Sequence, residues 1–454
     1  MSCLPVAVLL GALLVVFAGF ALVRLADRSA PAVTITPGGK AIGRAFKVTV
    51  EAAEPRHGIR TVRVVLVQDG KEFPLGERSN PGTAWWRPRR PPAPTPLTLE
   101  LDAGGAQLAG LKEGPATIRA EAVNDSPAGF GKGRSARAEI TLPVLLTPPR
   151  VEILSSVHYV NQGGAECVLY RVSESAETSG VRAGESFFPG HAKPGGAAGE
   201  RFAFFAFPQD LSAATVPVVV ARDAAGNESV ASFPYRLFPK IFRDATIELD
   251  DGFLGRVVPA ILAHTPEVKS QGDLLKDFLE INGRLRRENA AALVELAGRS
   301  KEQFLWHGPF TQLGGSQVMA SFADRRSYRY KGRIVDHQNH LGFDLAVTAN
   351  FPVAASNDGI VMVARWFGIY GNTVVLDHGF GLMSLYAHLS SIDVKEGQEV
   401  KRGAPLGRSG TTGLAGGDHL HFSILVDGIP VDPREWWDAH WIRDRIEPKT
   451  GPRL

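Results

Sequence analysis

The chain has only two cysteines in 454 residues, Cys3 and Cys167. That excludes a disulfide-stapled scaffold and any cysteine-based zinc cluster. Net charge is also scarce: 50 Lys+Arg stand against 47 Asp+Glu, too small an excess to suggest a nucleic-acid binder. No His-Glu-x-x-His sequence occurs, which excludes a helical zinc protease with a glutamate base. A charged fraction of 21% beside 44% apolar residues belongs to folded protein and rules out a disordered chain. What is plentiful is glycine (49) and proline (31), which points to many turns and a mainly β architecture. The length exceeds what one hydrophobic core usually supports, so several domains are expected.

Leu4 to Val23 is a run of twenty residues without a charge. As a helix rising about 1.5 Å per residue it would span roughly the 30 Å of a bilayer core. The run is longer than the apolar part of a usual cleaved signal, and Met1-Ser2-Cys3 carries no basic residue. Residues 1–28 are therefore expected to be an N-terminal transmembrane anchor in preference to a removed signal segment. Arg24 and Arg28 follow the run, so the positive-inside rule does not by itself place the remainder outside. Cys3 precedes the run and does not match a lipoprotein acylation site.

Residues 31–146 alternate short β-type runs with turns, among them Ala45–Val50, Thr61–Val67, Leu97–Leu101 and Ala116–Ala122, and predict a β-sandwich module. The Pro-rich stretch Trp85–Pro96 is expected to be an exposed loop. Thr147-Pro148-Pro149 marks a boundary, and a second module is expected over 149–238. Near its end, Val218-Val219-Val220 runs into Asp223-Ala224-Ala225-Gly226-Asn227, which resembles the last hairpin of bacterial immunoglobulin-like modules. Asn124-Asp125 with Gly129 is a weaker echo in the first module. Both modules are expected to act as spacers or as surfaces for envelope partners, without chemistry of their own. Cys167, in a β-like run, is expected to be a buried apolar residue.

Over 240–303 the period changes: apolar residues recur at helical spacing from Leu274 to Leu296, which predicts a helical linker serving as hinge, strut or docking element. The carboxylates of Glu248, Asp250 and Asp251 read as a solvated acidic turn and not as a metal site. A terminal domain of short strands and glycine turns follows over 305–438, with a tail over 439–454.

Histidine carries the chemistry. Six of the twelve fall between His337 and His421. Four of these six lie in His340-Leu341-Gly342-Phe343-Asp344, Tyr386-Ala387-His388-Leu389-Ser390 and His419-Leu420-His421-Phe422, with Gly-rich turns between. Imidazole and carboxylate are good zinc ligands, and catalytic zinc usually has three protein ligands plus water. A β-strand would put His419 and His421 on one face and Leu420 and Phe422 in the core. One imidazole could then ligate a metal while the other stands beside it, and spacing does not say which. His337 and His378 are expected to be structural or rim residues. Asn339 could be a partner of the site or a simple turn residue.

These three pieces resemble the motifs of the lysostaphin-type (LytM-like) zinc metalloendopeptidases. Gly371-Asn372-Thr373 through Gly379 and Gly407-Arg408-Ser409-Gly410-Thr411-Thr412-Gly413 fit the same family. The resemblance covers residues 305–438 and implies a compact, mainly antiparallel β domain holding one zinc ion on His340, Asp344 and His421. It implies that His388 and His419 act beside the metal as acid/base and oxyanion-stabilising groups on a water that zinc brings toward neutral pKa. The strand pattern also resembles lipoyl and biotinyl carrier domains, but Asp358-Gly359 offers no lysine to modify, and Lys395 sits in a different turn. The resemblance implies an endopeptidase that hydrolyses peptide cross-links of bacterial peptidoglycan. The alternative is a non-catalytic envelope protein that binds peptidoglycan or activates another hydrolase; such proteins typically lose metal ligands, and this chain keeps them. Anchor and motifs together suggest an inner-membrane protein with its domains in the periplasm.

Overall fold

The computed structural model describes residues 4–26, 28–80, 96–126, 128 and 132–452. It is mainly β, as expected. The expected Pro-rich loop at Trp85–Pro96, but for its last residue, and Gly129 lie outside the described residues. Leu4–Leu25 is helical, and its large apolar side chains between Val8 and Val23 stand exposed. Among the described residues no helix is long and apolar enough to cross a membrane, so the expected transmembrane helix is not found there. A span needs about twenty apolar residues, and only the side chains from Val8 to Val23 of this helix are described.

The chain divides into two compact units, one comprising residues 1–149 with 222–228, the other 150–221 with 229–454. In the first, Ala32–Pro37, Lys47–Ala53 and Leu97–Asp102 form one antiparallel sheet. Lys71–Ser79, Ile59–Gln68, Gly114–Asn124 and Ser135–Val144 form another. The alternating apolar positions of both sheets, such as Val48 and Val50 on one and Val62, Val64 and Ile118 on the other, share one core. The Asp223–Asn227 turn closes on itself: Asp223 Oδ1 accepts from the amides of Ala225 (2.9 Å) and Asn227 (3.0 Å), and Gly226 takes the left-handed φ of 82°.

In the second unit, residues 150–221 do not stand apart as a spacer. Their sheet runs His191–Ala192, Glu200–Ala206, Ala165–Val172, Val151–Ile153 and contributes Cys167, Phe202 and Phe204 to a core that continues through Trp306, Leu382 and Trp436. Phe202 meets Phe380 edge-on at 5.0 Å, and Phe204 meets Trp436 at 5.9 Å. Polar contacts seal the same junction. Glu435 accepts from the Ala165 amide (2.7 Å) and from Asn161 Nδ2 (2.8 Å). The expected tail is also built in over its described residues, with Lys449 Nζ lying 2.7 Å from the fully buried Glu166.

The 240–303 stretch packs on the terminal domain. Asp244–Leu249 adds a parallel strand to Asp324–Tyr330. Asp250, read from sequence as a solvated turn, caps the helix Asp251–His264 by accepting from the Phe253 amide, and Asp273 caps Leu274–Glu280 in the same way. Leu254, Val258, Phe278, Ile281 and Leu285 form one apolar cluster with Tyr328 and Ile369 of the terminal domain. Between Leu274–Glu280 and Arg286–Ala297 the backbone takes one π-helical segment, Ile281–Leu285.

The site rests on one large sheet, ordered Gln317–Ala320, Phe343–Ala346, Leu420–Val426, Leu382–Leu389, Asn372–Gly379, Gly359–Trp366, Glu399–Val400. Its four central strands are buried almost throughout.

Breaking a buried ion pair on one side strands a charge. Burial pushes the Glu166 carboxyl up, and Lys449 pulls it back. Lys449→Met is therefore expected to cost about 3 kcal/mol of stability, a deficit that grows as rising pH ionises the stranded Glu166. Adding Glu166→Gln should restore part of the loss in the same denaturation measurement.

Candidate metal centre

The register of the large sheet brings the motif residues together. Asp344 pairs with His421 across Phe343–Ala346 and Leu420–Val426, and His421 faces Ala387 on its other side. His340 ends the strand Arg333–His340. His388 follows Ala387 in the left-handed region (φ 62°), an uncommon conformation in which histidine is enriched. Gly342 keeps the centre open: a Cβ there would come within 2.6 Å of His421 Nε2 and 2.5 Å of Ser423 Oγ.

His340 Nε2, Asp344 Oδ1 and His421 Nδ1 lie 2.9–3.0 Å from one another. Their outer partners fix which ring nitrogens carry protons. His340 Nδ1–H donates to the Ser321 carbonyl at 2.9 Å. Ser423 donates its own hydroxyl to the Leu341 carbonyl at 2.7 Å, so its oxygen is left to accept from His421 Nε2–H at 3.1 Å. In the neutral imidazoles the two inward nitrogens therefore bear lone pairs, and both face a carboxylate oxygen. Three acceptors converge with no proton among them, an arrangement that calls for a cation. Tetrahedral zinc with bonds of about 2.0–2.1 Å would set its ligands roughly 3.3 Å apart, so the triangle fits one small ion with little adjustment. The three residues lie together as one His/Asp/His group.

His388 and His419 stand beside this group. His388 donates Nδ1–H to the Thr412 carbonyl (2.8 Å), and His419 donates Nδ1–H to the Gly417 carbonyl (2.8 Å). Both therefore turn Nε2 away from those carbonyls; His419 Nε2 lies 3.3 Å from Asp344 Oδ1, and the two rings are 4.9 Å apart. The Gly407–Gly413 turn thus earns its place in the site, since Thr412 also donates to Leu389 (2.9 Å) and accepts from the Asn372 amide (3.0 Å). The five groups share a cleft of about 440 Å³ with Arg243, Arg286, Arg326 and Tyr370.

Burial dominates the electrostatics. It holds the His388 imidazole well below the ordinary histidine range and brings His421 down to about 4. Burial alone would raise the Asp344 carboxyl, but the histidines around it, His340 first and then His419 and His421, together outweigh burial and hold the group well below the carboxylate range. For His419, burial pulls downward and the Asp344 contact overcomes it, so the group is raised.

His337 is an exposed residue bonded to Ser327 (3.1 Å), and His378 is buried between the Asp358 carbonyl (2.6 Å) and Ser384 (2.7 Å), outside the cleft. Asn339 does not line the cleft either. Sequence reasoning missed Ser423 and Arg326. Ser423 was within reach, because strand alternation puts it on the face of His421. Arg326, whose Nη2 binds Asp344 Oδ2 at 2.7 Å, arrives through pairing of Asp324–Tyr330 with Arg333–His340. The only hint was the Lys331-Gly332 turn, both residues at positive φ.

Residues 338–433 match the profile of Peptidase family M23, so the terminal region carries a domain of that metallopeptidase family. The chain is 40% identical over 166 residues to peptidoglycan DD-endopeptidase ShyA of Vibrio cholerae, covering 37% of this chain and 36% of that one. It is 40% identical over 116 residues to peptidoglycan DD-endopeptidase ShyB of the same species, covering 26% of each. It is also 34% identical over 109 residues to the murein hydrolase activator EnvC of Escherichia coli, covering 24% of this chain and 26% of that one. The chain thus spans about a third or less of the length of these relatives.

Outer hydrogen bonds that set a ligand tautomer typically contribute 10–100-fold to metal affinity. Ser423→Ala is accordingly expected to weaken binding of one divalent ion by about that factor, measured by competition with a chromogenic chelator. Unchanged affinity would mean that the Ser423 contact does not orient His421.

Proposed function

We propose that the protein is a zinc-dependent endopeptidase that hydrolyses peptide cross-links of bacterial peptidoglycan. The observation that carries this reading is the convergence of three lone-pair atoms of His340, Asp344 and His421, with two further imidazoles beside them in one cleft. His340, Asp344 and His421 would hold the ion, three protein ligands being the usual set of a catalytic zinc. Bound there, zinc would supply Lewis-acid polarisation and an acidified water. The chain's own residues do the rest. Arg326 holds Asp344 through Oδ2 and leaves Oδ1 for the ion. Of His388 and His419, one takes the proton released by the attacking water and passes it to the leaving amine. The other donates a hydrogen bond to the carbonyl oxygen as charge develops on it. Their backbone anchors at Thr412 and Gly417 hold both rings in place before substrate arrives.

The similarity to named peptidoglycan endopeptidases supports the substrate class. The similarity to an activator of murein hydrolases keeps a non-catalytic binder as the competing reading, and the complete His/Asp/His group favours the enzyme. Purified sacculi separate the two. The zinc-loaded protein is expected to release peptides, a chelator to stop the release, and His421→Ala to lower the rate at least a thousandfold, the scale on which losing zinc chemistry acts. No release from a metal-loaded protein that still binds sacculi would leave only the binder.

We also propose that the protein works outside the cytoplasmic membrane, where its substrate lies, attached through the exposed apolar side chains between Val8 and Val23. Fractionation should recover the chain with membranes and accessible to protease from the outer side. Recovery in the cytoplasmic fraction would overturn this placement.

A further inference from the structure

The cleft is lined by three guanidinium groups, and two are already matched to acids. Arg326 binds Asp344, and Arg243 binds Asp324. Arg286 differs. Its hydrogen bonds go to neutral acceptors, Nη2 to Asn282 Oδ1 at 2.6 Å and Nε to the Asn282 carbonyl at 3.2 Å, and it has no acidic partner among the described residues. The remaining acid of the cleft wall, Asp418, is occupied by the Ser409 hydroxyl (2.5 Å) and the Asn350 amide (3.0 Å). Arg286 is therefore a half-buried positive charge in the reaction cleft without its counter-charge.

Its placement is built. Asn282 is fully buried, and its Nδ2 donates to Asp336 Oδ2 at 2.7 Å, which turns the amide so that Oδ1 must face Arg286. Asn282 lies in the π-helical segment Ile281–Leu285, and Arg286 is the first residue after it. One widened turn rotates everything downstream relative to a continuous α-helix, and such turns recur at functional sites. Here Ile281 and Leu285 stay in the apolar cluster while Arg286 reaches the cleft. Arg286 is also close enough to act on the hydroxyl of Tyr370: burial pushes that group up, and the guanidinium pulls it back. The Tyr370 ring lies 5.8 Å from that of His421, and Arg286 lines the same cleft as the metal group.

We propose that Arg286 is the carboxylate-binding residue of the cleft, taking a free carboxylate of the peptide substrate beside the bond that is cut. Asn282 is its positioning residue. The proposal rests on the peptidase reading above and sharpens it. In a direct cross-link the amide nitrogen belongs to a diamino acid whose neighbouring carbon can carry a carboxylate, whereas a glycine bridge offers none at that place. A planar guanidinium fork suits a carboxylate, and one such charge-assisted contact is worth about tenfold to a hundredfold in affinity.

Hydrolysis of directly cross-linked peptide dimers by the zinc-loaded full chain tests this in three forms: free acid, amidated at the carboxylate beside the scissile amide, and amidated only at the chain terminus. The first amidation is expected to raise KM at least tenfold with kcat little changed. Arg286→Gln should erase that difference while leaving rates on the amidated dimer within about twofold, and Arg286→Lys should keep part of the preference. An effect confined to the terminal amidation would replace the proposed carboxylate with the chain end. Indifference of the wild type to both amidations, or an equal loss on all three forms in Arg286→Gln, would overturn the proposal outright. If the wild type cut none of them, the peptidase reading would fall. Equilibrium binding of the same dimers to wild type and Arg286→Gln would then still decide whether Arg286 holds a carboxylate.

Discussion

Everything in the terminal domain is arranged around a repulsion. Two imidazole nitrogens and a carboxylate oxygen are pressed to about 3 Å from each other, and with both imidazoles neutral none of the three carries a proton toward the others. Left in water, such groups would turn apart or protonate. They are held because each has a second commitment: His340 to the Ser321 carbonyl, His421 to Ser423, Asp344 to Arg326. Those commitments depend in turn on a sheet whose central strands are buried along their length. The fold supplies the rigidity, and the cation it implies supplies the relief.

The same economy governs the second layer of the site. His388 occupies a left-handed backbone position and is secured by a single carbonyl from the Gly407–Gly413 turn. That turn can pack so closely because Gly371 offers no side chain: a Cβ there would lie 2.4 Å from Thr412. The glycines that made the sequence look merely turn-rich are thus, at these few places, what lets backbone serve as a tool for orienting imidazole.

Much of the site was legible in the order of its residues. His340, Asp344, His388, His419 and His421 lie in one cleft, because short motifs on adjacent strands survive as spacing patterns. Ser423 could have been read by the same alternation. Arg326, Arg286 and Thr412 could not, because a short hairpin, one widened helical turn and a glycine-rich turn place them, and none of these shows in the spacing of the motifs. The fold was legible in kind and less so in its joints. The mainly β character followed from composition, and helices appeared in the 240–303 stretch. What sequence could not convey was that these helices, the residues from 150 to 221 and the last turn of the chain would share cores with the terminal domain. Apolar periodicity reveals that a face is buried, but not against what. Asp250 shows the same limit for polar residues: as a string it is an acidic turn, and in place it is a helix cap.

The junction of Phe202 and Phe204 with Phe380 and Trp436 reaches beyond catalysis. A region that carries a family domain is often treated as a cassette to be cut out and moved between proteins. Here the cut would open an aromatic seam and leave Glu435 facing solvent without the amide and asparagine that bind it. The heritable unit of this protein is therefore larger than the segment its family profile outlines, and recombination that preserves the chemistry must carry the 150–221 sheet along with it.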